Sequence, residues 1–121
     1  MTTTISGSNG IVFPDDTTMQ TGQQAVKAWV NFDGTGTVAI RAGYNVSSIS
    51  DNGTGDYTVN FTTAMLDANF TYAGSVGDSD HSSQSRGISF INSTVSTLRI
   101  LTEQTGGTNS DEPQIGIVIF R

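Results

Sequence analysis

The feature of this sequence that constrains its fold most is a strict alternation of apolar and polar residues in short runs. In AVKAWVNF, the apolar residues Val26, Ala28, Val30 and Phe32 fall on one side of an extended chain. Side chains alternate between the two faces of a β-strand, so this run predicts a strand with one buried face. Further short runs follow, most of them of about five to eight residues: TVAIRAGYNV, DYTVNF, NFTYAGSV, GISFI, VSTLRIL and QIGIVIF. The pattern predicts an antiparallel all-β fold.

Turn residues separate these runs. The tetrapeptides DGTG (33–36) and NGTG (52–55) place Gly after Asp or Asn, where the tight turns of β-hairpins need positive φ. The surrounding stretch DNGTGD (51–56) could also suggest a metal-binding loop, because two carboxylates bracket its glycines. A calcium loop of the helix–loop–helix kind needs oxygen ligands at alternate positions and a closing Glu, which this stretch lacks. We therefore predict a turn here.

Composition excludes several classes of function. The chain has 121 residues, enough for one domain, and no cysteine, so it has no disulfide and no thiolate metal ligand. Its 5 Lys and Arg against 11 Asp and Glu give a net charge of −6, which argues against nucleic-acid binding. No apolar run approaches the roughly 20 residues of a membrane span. We therefore expect neither a nucleic-acid partner nor membrane insertion.

The last run, QIGIVIF, is apolar on both sides. An outer strand of a small sandwich normally has one face in water, so this run needs cover on both faces. Trp29 needs cover for the same reason, because it lies opposite the apolar side of its own run. A central strand covered by a loop would meet this need, and so would a contact between subunits. The predicted oligomer interface consists of Trp29, Ile115, Ile117, Val118, Ile119 and Phe120.

Two stretches resemble segments of phage tail-fibre proteins. GIVFPDDTTMQTG (10–22) resembles a G-I-x-F-P-D-G-T-x-Q-T segment that often lies where a fibre shaft meets its next domain, although Asp16 replaces the usual Gly. Residues 28–65 resemble a module at the C-terminal ends of tail-fibre and related virion proteins of marine and cyanobacterial phages. The ending IGIVIFR is similar to the closing strand of that module.

This resemblance implies a fold and a function. The implied fold is a trimeric, jelly-roll-like antiparallel β-sandwich at residues 25–121, after a connector or shaft-like segment at residues 1–24. The implied function is that of a virion structural protein, the distal tail-fibre domain that attaches to the host surface as a homotrimer, without catalysis or cofactor. Its partners would be other virion proteins and a host-surface glycan or protein. Its location would be the tail or capsid surface, after assembly in the host cytoplasm.

Two alternative functions stay open. The same module could bind another virion protein as a capsid-decoration or tail-adaptor protein, which the short segment before the β domain favours. A small glycan-active enzyme is the second alternative, but no pair of carboxylates suited to a sugar-binding groove stands out. GDSDHSSQSR brings Asp, His and Ser together in sequence, yet catalytic triads are assembled in space from separate rigid elements. We therefore predict no enzyme activity.

Two polar loops are the predicted receptor contacts, because function concentrates on loops held by a rigid scaffold. The loop at residues 77–87 contains Asp78, Asp80, His81 and Arg86, and the loop at residues 102–114 contains Asn109, Asp111 and Glu112. Solvated connectors with no binding role would have the same composition. His81 could also meet its copies on a threefold axis and bind a metal through imidazole, but our prediction includes no metal site.

Overall fold

The structure is a computed structural model and describes residues 4–6, 10–15, 18–19, 26–78 and 85–121. Within these ranges every secondary-structure element is a β-strand, and every strand pairing is antiparallel. The predicted antiparallel all-β class is therefore confirmed. The described residues contain no helix that could cross a membrane. A small first sheet contains β1 (Thr4–Ser6), β2 (Gly10–Val12) and β3 (Thr18–Met19).

The remaining strands form two sheets that face each other. The front sheet contains, in spatial order, β5 (Ala39–Tyr44), β4 (Val26–Asp33), β12 (Gln114–Phe120) and β8 (Thr71–Gly77). The back sheet contains β6 (Val46–Gly53), β7 (Asp56–Phe61), β10 (Thr97–Gln104) and β9 (Arg86–Ser93). The short strand β11 (Thr108–Asn109) pairs with β10 beyond the end of β7. The molecule is a β-sandwich.

The core lies between the inner faces of the two sheets. The rings of Phe32 and Tyr57 meet across it edge to face, with centroids 5.3 Å apart. Burial of each large apolar side chain contributes about 1.5–3 kcal/mol of transfer free energy. The buried apolar residues on the strands of the front sheet are Ala28, Val30, Phe32, Ile115, Ile117 and Ile119, and those of the back sheet are Tyr57, Val59, Phe61, Leu98 and Ile100.

Burial corrects the sequence-based placement of three interface residues. Ile115, Ile117 and Ile119 are 0, 4 and 0 % exposed, so they lie in the core of one protomer rather than on a surface that another copy could contact. The other members of the predicted interface, Trp29, Val118 and Phe120, lie on the opposite side of the front sheet. The interface itself stays a prediction.

A single residue moves the chain from one sheet to the other. Asn45 has φ 55 and separates β5 in the front sheet from β6 in the back sheet, within a run that the sequence pattern treats as one strand. Asn adopts this left-handed conformation more readily than most residues. Its Nδ2 donates to the carbonyls of Lys27 and Thr63, both at 3.1 Å, and its Oδ1 accepts a 2.7 Å bond from the Thr63 amide.

The sandwich has two different ends. At the end that we call the loop end, Gly34 N donates to Glu112 O at 2.9 Å, and Ser85 N donates to Thr105 Oγ1 at 2.8 Å. These bonds bring together the connections β4–β5, β8–β9 and β10–β12, and the β6–β7 turn lies beside them. The opposite end, where β4 begins at Val26, carries the connections β5–β6, β7–β8 and β9–β10.

Candidate functional site at the loop end

Arg86 joins the two loops predicted to contact a receptor. Its Nη2 is 2.9 Å from Asp78 Oδ2, and its Nε is 3.1 Å from Glu112 Oε2. The Glu112 side chain is 2 % exposed and that of Arg86 is 15 % exposed. Buried charges are tolerated where they are paired. Asp78, Arg86 and Glu112 thus hold the loops together, and their role as receptor contacts stays a prediction.

Tyr57 and Asp111 form a second connection between loops. The Tyr57 hydroxyl is the donor at 2.7 Å from Asp111 Oδ1 and at 3.0 Å from Gly34 O, and the amide of Gly55 donates to the same Asp111 oxygen at 2.7 Å. Burial, followed by the nearby Asp111 carboxylate, raises the pKa of Tyr57 well above its ordinary value of 10.0. The phenol therefore stays a neutral donor throughout the ordinary pH range.

Gly55 lets the β6–β7 turn pack directly against the β10–β12 connection. Its φ is +62°, and an added Cβ would lie 2.5 Å from Thr102 O and 2.6 Å from Ser110 N. Thr102 is fully buried, and its hydroxyl donates to Ser110 O at 2.6 Å. Side chains are excluded at Gly55 by both conformation and space.

The stretch DNGTGD forms the turn that the sequence predicts. β6 and β7 pair on either side of it, with Asp51 opposite Tyr57, and Asp51 Oδ1 accepts a 3.0 Å bond from the Gly53 amide. Asp56 binds Arg99 through two bonds of 2.9 and 2.6 Å, and these bonds are the main reason that the pKa of Asp56 lies below 3.8. Asp51 thus bonds within the turn, and Asp56 connects the hairpin to β10.

The structure places most of the predicted contact residues at the loop end, with different exposures. Asn109 and Asp111 are exposed, whereas Asp78, Arg86 and Glu112 form the cluster described above. Asp80 and His81 lie outside the described residues. The receptor-contact role itself stays a prediction for all of these residues. In the part of the chain that the structure describes, no three His, Asp or Glu side chains are grouped to hold a metal ion.

The pattern of the sequence did not predict the residues that connect the loops, chiefly Tyr57, Gly55 and Thr102. One signal could have identified Tyr57. It lies on the buried side of DYTVNF, beside a turn, and a buried tyrosine hydroxyl usually finds a hydrogen-bond partner. Nothing in the sequence named that partner as Asp111, which lies 54 residues away.

A second candidate surface is the outer face of the front sheet. Trp29 and Phe120 are each 40 % exposed there, and Tyr44 is 58 % exposed. Beside Trp29 lies a shallow groove of about 480 Å³. Its side-chain lining includes Asn31, Ala73, Ser75 and Val118, with Gly116 among them.

Comparisons with protein-family models, with curated proteins and with solved structures found no match to this chain. The tail-fibre resemblance therefore stays a prediction.

Proposed function

We propose that this chain is a virion structural protein, the distal domain of a phage tail fibre, which attaches to the host surface as a homotrimer without catalysis. The proposal includes assembly of three copies and a jelly-roll-like strand arrangement in the sandwich. The receptor would be a host-surface glycan or protein. Three copies would each make weak contacts, and their combined avidity would give useful attachment.

The observation that carries the proposal is the separation between the loop end and the start of β4. The chain enters the sandwich at Val26, at one end, whereas the connections β4–β5, β6–β7, β8–β9 and β10–β12 lie at the other. If the segment before Val26 leads to a fibre shaft, the loop end faces away from the virion. Contact residues are expected on such loops because a rigid sandwich supports them.

The internal bonds of the loop end support a binding role for a second reason. Arg86 links β8–β9 to β10–β12, and Asp111 links β10–β12 to β6–β7 through Gly55. These bonds fix the loops before any ligand arrives, so less conformational entropy is lost on binding. Exposed residues such as Asn109 are thereby held in a constant arrangement.

The absence of cysteine from the sequence makes a site-directed blocking experiment possible. Asn109→Cys gives one thiol at the loop end, and Leu66→Cys gives one at the opposite end, where Leu66 is 75 % exposed. Each variant is coupled to a bulky polyethylene glycol chain and added to host cells before the phage that encodes this protein. The readout is the fraction of phage adsorbed.

We expect the unmodified protein and the Leu66→Cys conjugate to block phage adsorption, and the Asn109→Cys conjugate to have lost this effect. Equal blocking by both conjugates would show that the loop end does not contact the host. If the unmodified protein has no effect and immunogold electron microscopy places it on the capsid or tail tube, the decoration or adaptor function replaces this proposal.

A further inference from the structure

The outer faces of the two sheets have opposite character. On the back sheet, a row of directly paired residues crosses the four strands: Asn92, Arg99, Thr58 and Ser50. Beside this row, Asn60 Nδ2 donates to Ser50 Oγ at 2.9 Å. Polar side chains predominate on this face, as expected of an antiparallel sheet in contact with water, and Leu101 lies among them between Asp56 and Ser89.

On the front sheet the corresponding row is apolar. Paired residues lie on the same side of a sheet, and the row that crosses its four strands consists of Tyr44, Trp29, Val118 and Ala73. The neighbouring rows consist of Ala42, Asn31, Gly116 and Ser75, and of Val26, Phe120 and Thr71. None of the residues in these rows is charged; the ion pair of Arg41 with Asp33 borders them, and Arg41 Nη1 donates to Asn31 Oδ1 at 3.4 Å. A surface of this kind indicates a contact with another molecule.

Residue size varies across the face. Tyr44 and Trp29 lie side by side on β5 and β4, and a third exposed aromatic residue, Phe120, lies at the end of β12. Between them and the edge of the sheet, Ala73, Ser75 and Gly116 are small. The small residues leave the groove of about 480 Å³ next to Trp29. One face therefore carries both a projecting aromatic edge and a depression.

We propose that this face packs against neighbouring copies of the same chain, with the aromatic edge of one copy in the groove of the next. Two chains of net charge −6 repel each other, so a self-contact is favoured where acidic residues are few and paired; the acid beside these rows, Asp33, is paired with Arg41 at 3.2 Å. A contact between two different patches of one chain is heterologous and closes into a ring when the rotation permits. That the assembly contains three copies rests on the proposed function. The choice of this face as the interface does not depend on it.

The size of the face indicates how strong the assembly is. β4 and β12 have 8 and 7 residues, and four strands of this length cover a flat area of about 450 Å². Stable interfaces bury about 800 Å² per partner. This face alone therefore gives a reversible assembly that depends on protein concentration, and it needs measurement over a concentration series.

Gly116→Arg tests the proposal because it fills the groove without disturbing the protomer. An added Cβ at Gly116 has one neighbour within 4 Å, Ser75 Oγ at 3.7 Å, which is an ordinary contact. Gly87→Arg is the matched control. It introduces the same side chain on β9 of the back sheet, where an added Cβ has no neighbour within 4 Å. Near-ultraviolet circular dichroism establishes that both variants are folded.

Sedimentation velocity is measured on all three proteins up to about 100 µM, a range that suits a contact of this size. We expect the wild type and Gly87→Arg to form oligomers of the 12.7 kDa chain, and Gly116→Arg to associate at least about tenfold more weakly. Trp29 is the only tryptophan, so its fluorescence should shift to the blue as the wild type associates but not in Gly116→Arg.

Three results would overturn the proposal: a monomeric wild type at about 100 µM, a Gly116→Arg variant that associates like the wild type, or loss of association in Gly87→Arg as well. Replacement of Tyr44 by Ala, at the other side of the face, should weaken association in the same way. A wild-type oligomer that fails to block phage adsorption would keep this interface and reject the attachment function.

Discussion

Replacement of Tyr57 by Phe removes one buried hydroxyl group from the loop end and leaves the ring in the core. The bond to the Asp111 carboxylate is charge-assisted and contributes about 1.5–3 kcal/mol, whereas a neutral bond such as that to Gly34 O contributes about 0.5–1.5 kcal/mol. One hydroxyl hydrogen serves both acceptors, and water can replace it at the exposed Asp111. We therefore expect the free energy of unfolding to fall by about 2 kcal/mol.

The assay is urea unfolding followed by Trp29 fluorescence, together with thermal unfolding. A loss of about 2 kcal/mol corresponds to a decrease in Tm of roughly 8 °C for a domain of this size. Tyr72→Phe is the matched control. The Tyr72 ring packs on Phe90 at 4.2 Å between centroids, and its hydroxyl has no hydrogen bond within the described residues. Its removal should change stability by less than about 0.5 kcal/mol.

Because the pKa of Tyr57 is raised, Tyr57→Phe should also change how stability depends on alkaline pH. The unfolded chain loses the phenolic proton near its ordinary pKa of 10.0, before the folded chain does. The folded state therefore keeps the full contribution of this group below pH 10 and loses stability as pH rises above that value. Tyr57→Phe should reduce this alkaline slope. Equal stabilities of Tyr57→Phe and Tyr72→Phe, with equal alkaline slopes, would refute the role assigned to this hydroxyl.

Two further predictions concern a turn and an ion pair. Gly36 and Gly55 have similar φ values of +58° and +62°, but an added Cβ collides with backbone at Gly55 alone. Gly36→Ala should therefore cost about 1–2 kcal/mol and Gly55→Ala at least about 3 kcal/mol in thermal unfolding, and equal costs would contradict the close packing. Hydrogen bonds from Arg121 are the main reason that the pKa of Asp67 is about 2 instead of 3.8, so the stability from this pair is complete above pH 3.8 and disappears as pH falls through about 2. Titration of the Asp67 carboxyl by NMR should give that midpoint and a higher one in Arg121→Ala; an unchanged midpoint would exclude Arg121 as the cause.

The alternation of apolar and polar residues predicted the strands whose inner face is buried. It did not predict features that depend on hydrogen bonding to a neighbouring strand. In DYTVNF, Tyr57, Val59 and Phe61 are buried as their spacing indicates. β6 was not predicted, because VSSISDNG is mostly polar and becomes a strand through its ladder with β7. Val26 was placed inside, but a bulge pairs it with Phe120 and leaves it 38 % exposed. Such bulges depend on the partner strand, which a single run does not reveal.

The candidate site shows the same limit. The sequence identified two polar loops, and the structure brings them together at one end of the sandwich. The sequence could not reveal that Arg86 forms ion pairs with Asp78 and Glu112, because Glu112 lies 26 positions further along the chain. Polar residues in a loop look alike in sequence whether they face solvent or each other. Their roles depend on contacts between distant segments.

The position of β4 determines how the sandwich responds to mechanical tension. β4 is paired along its length with β5 on one side and β12 on the other. A pull applied at Val26 against a tethered loop end acts parallel to β4, and ladder hydrogen bonds lie perpendicular to that direction. Extraction would therefore shear two ladders at once instead of peeling one bond after another. Such a geometry resists mechanical unfolding, as the proposed attachment function would require.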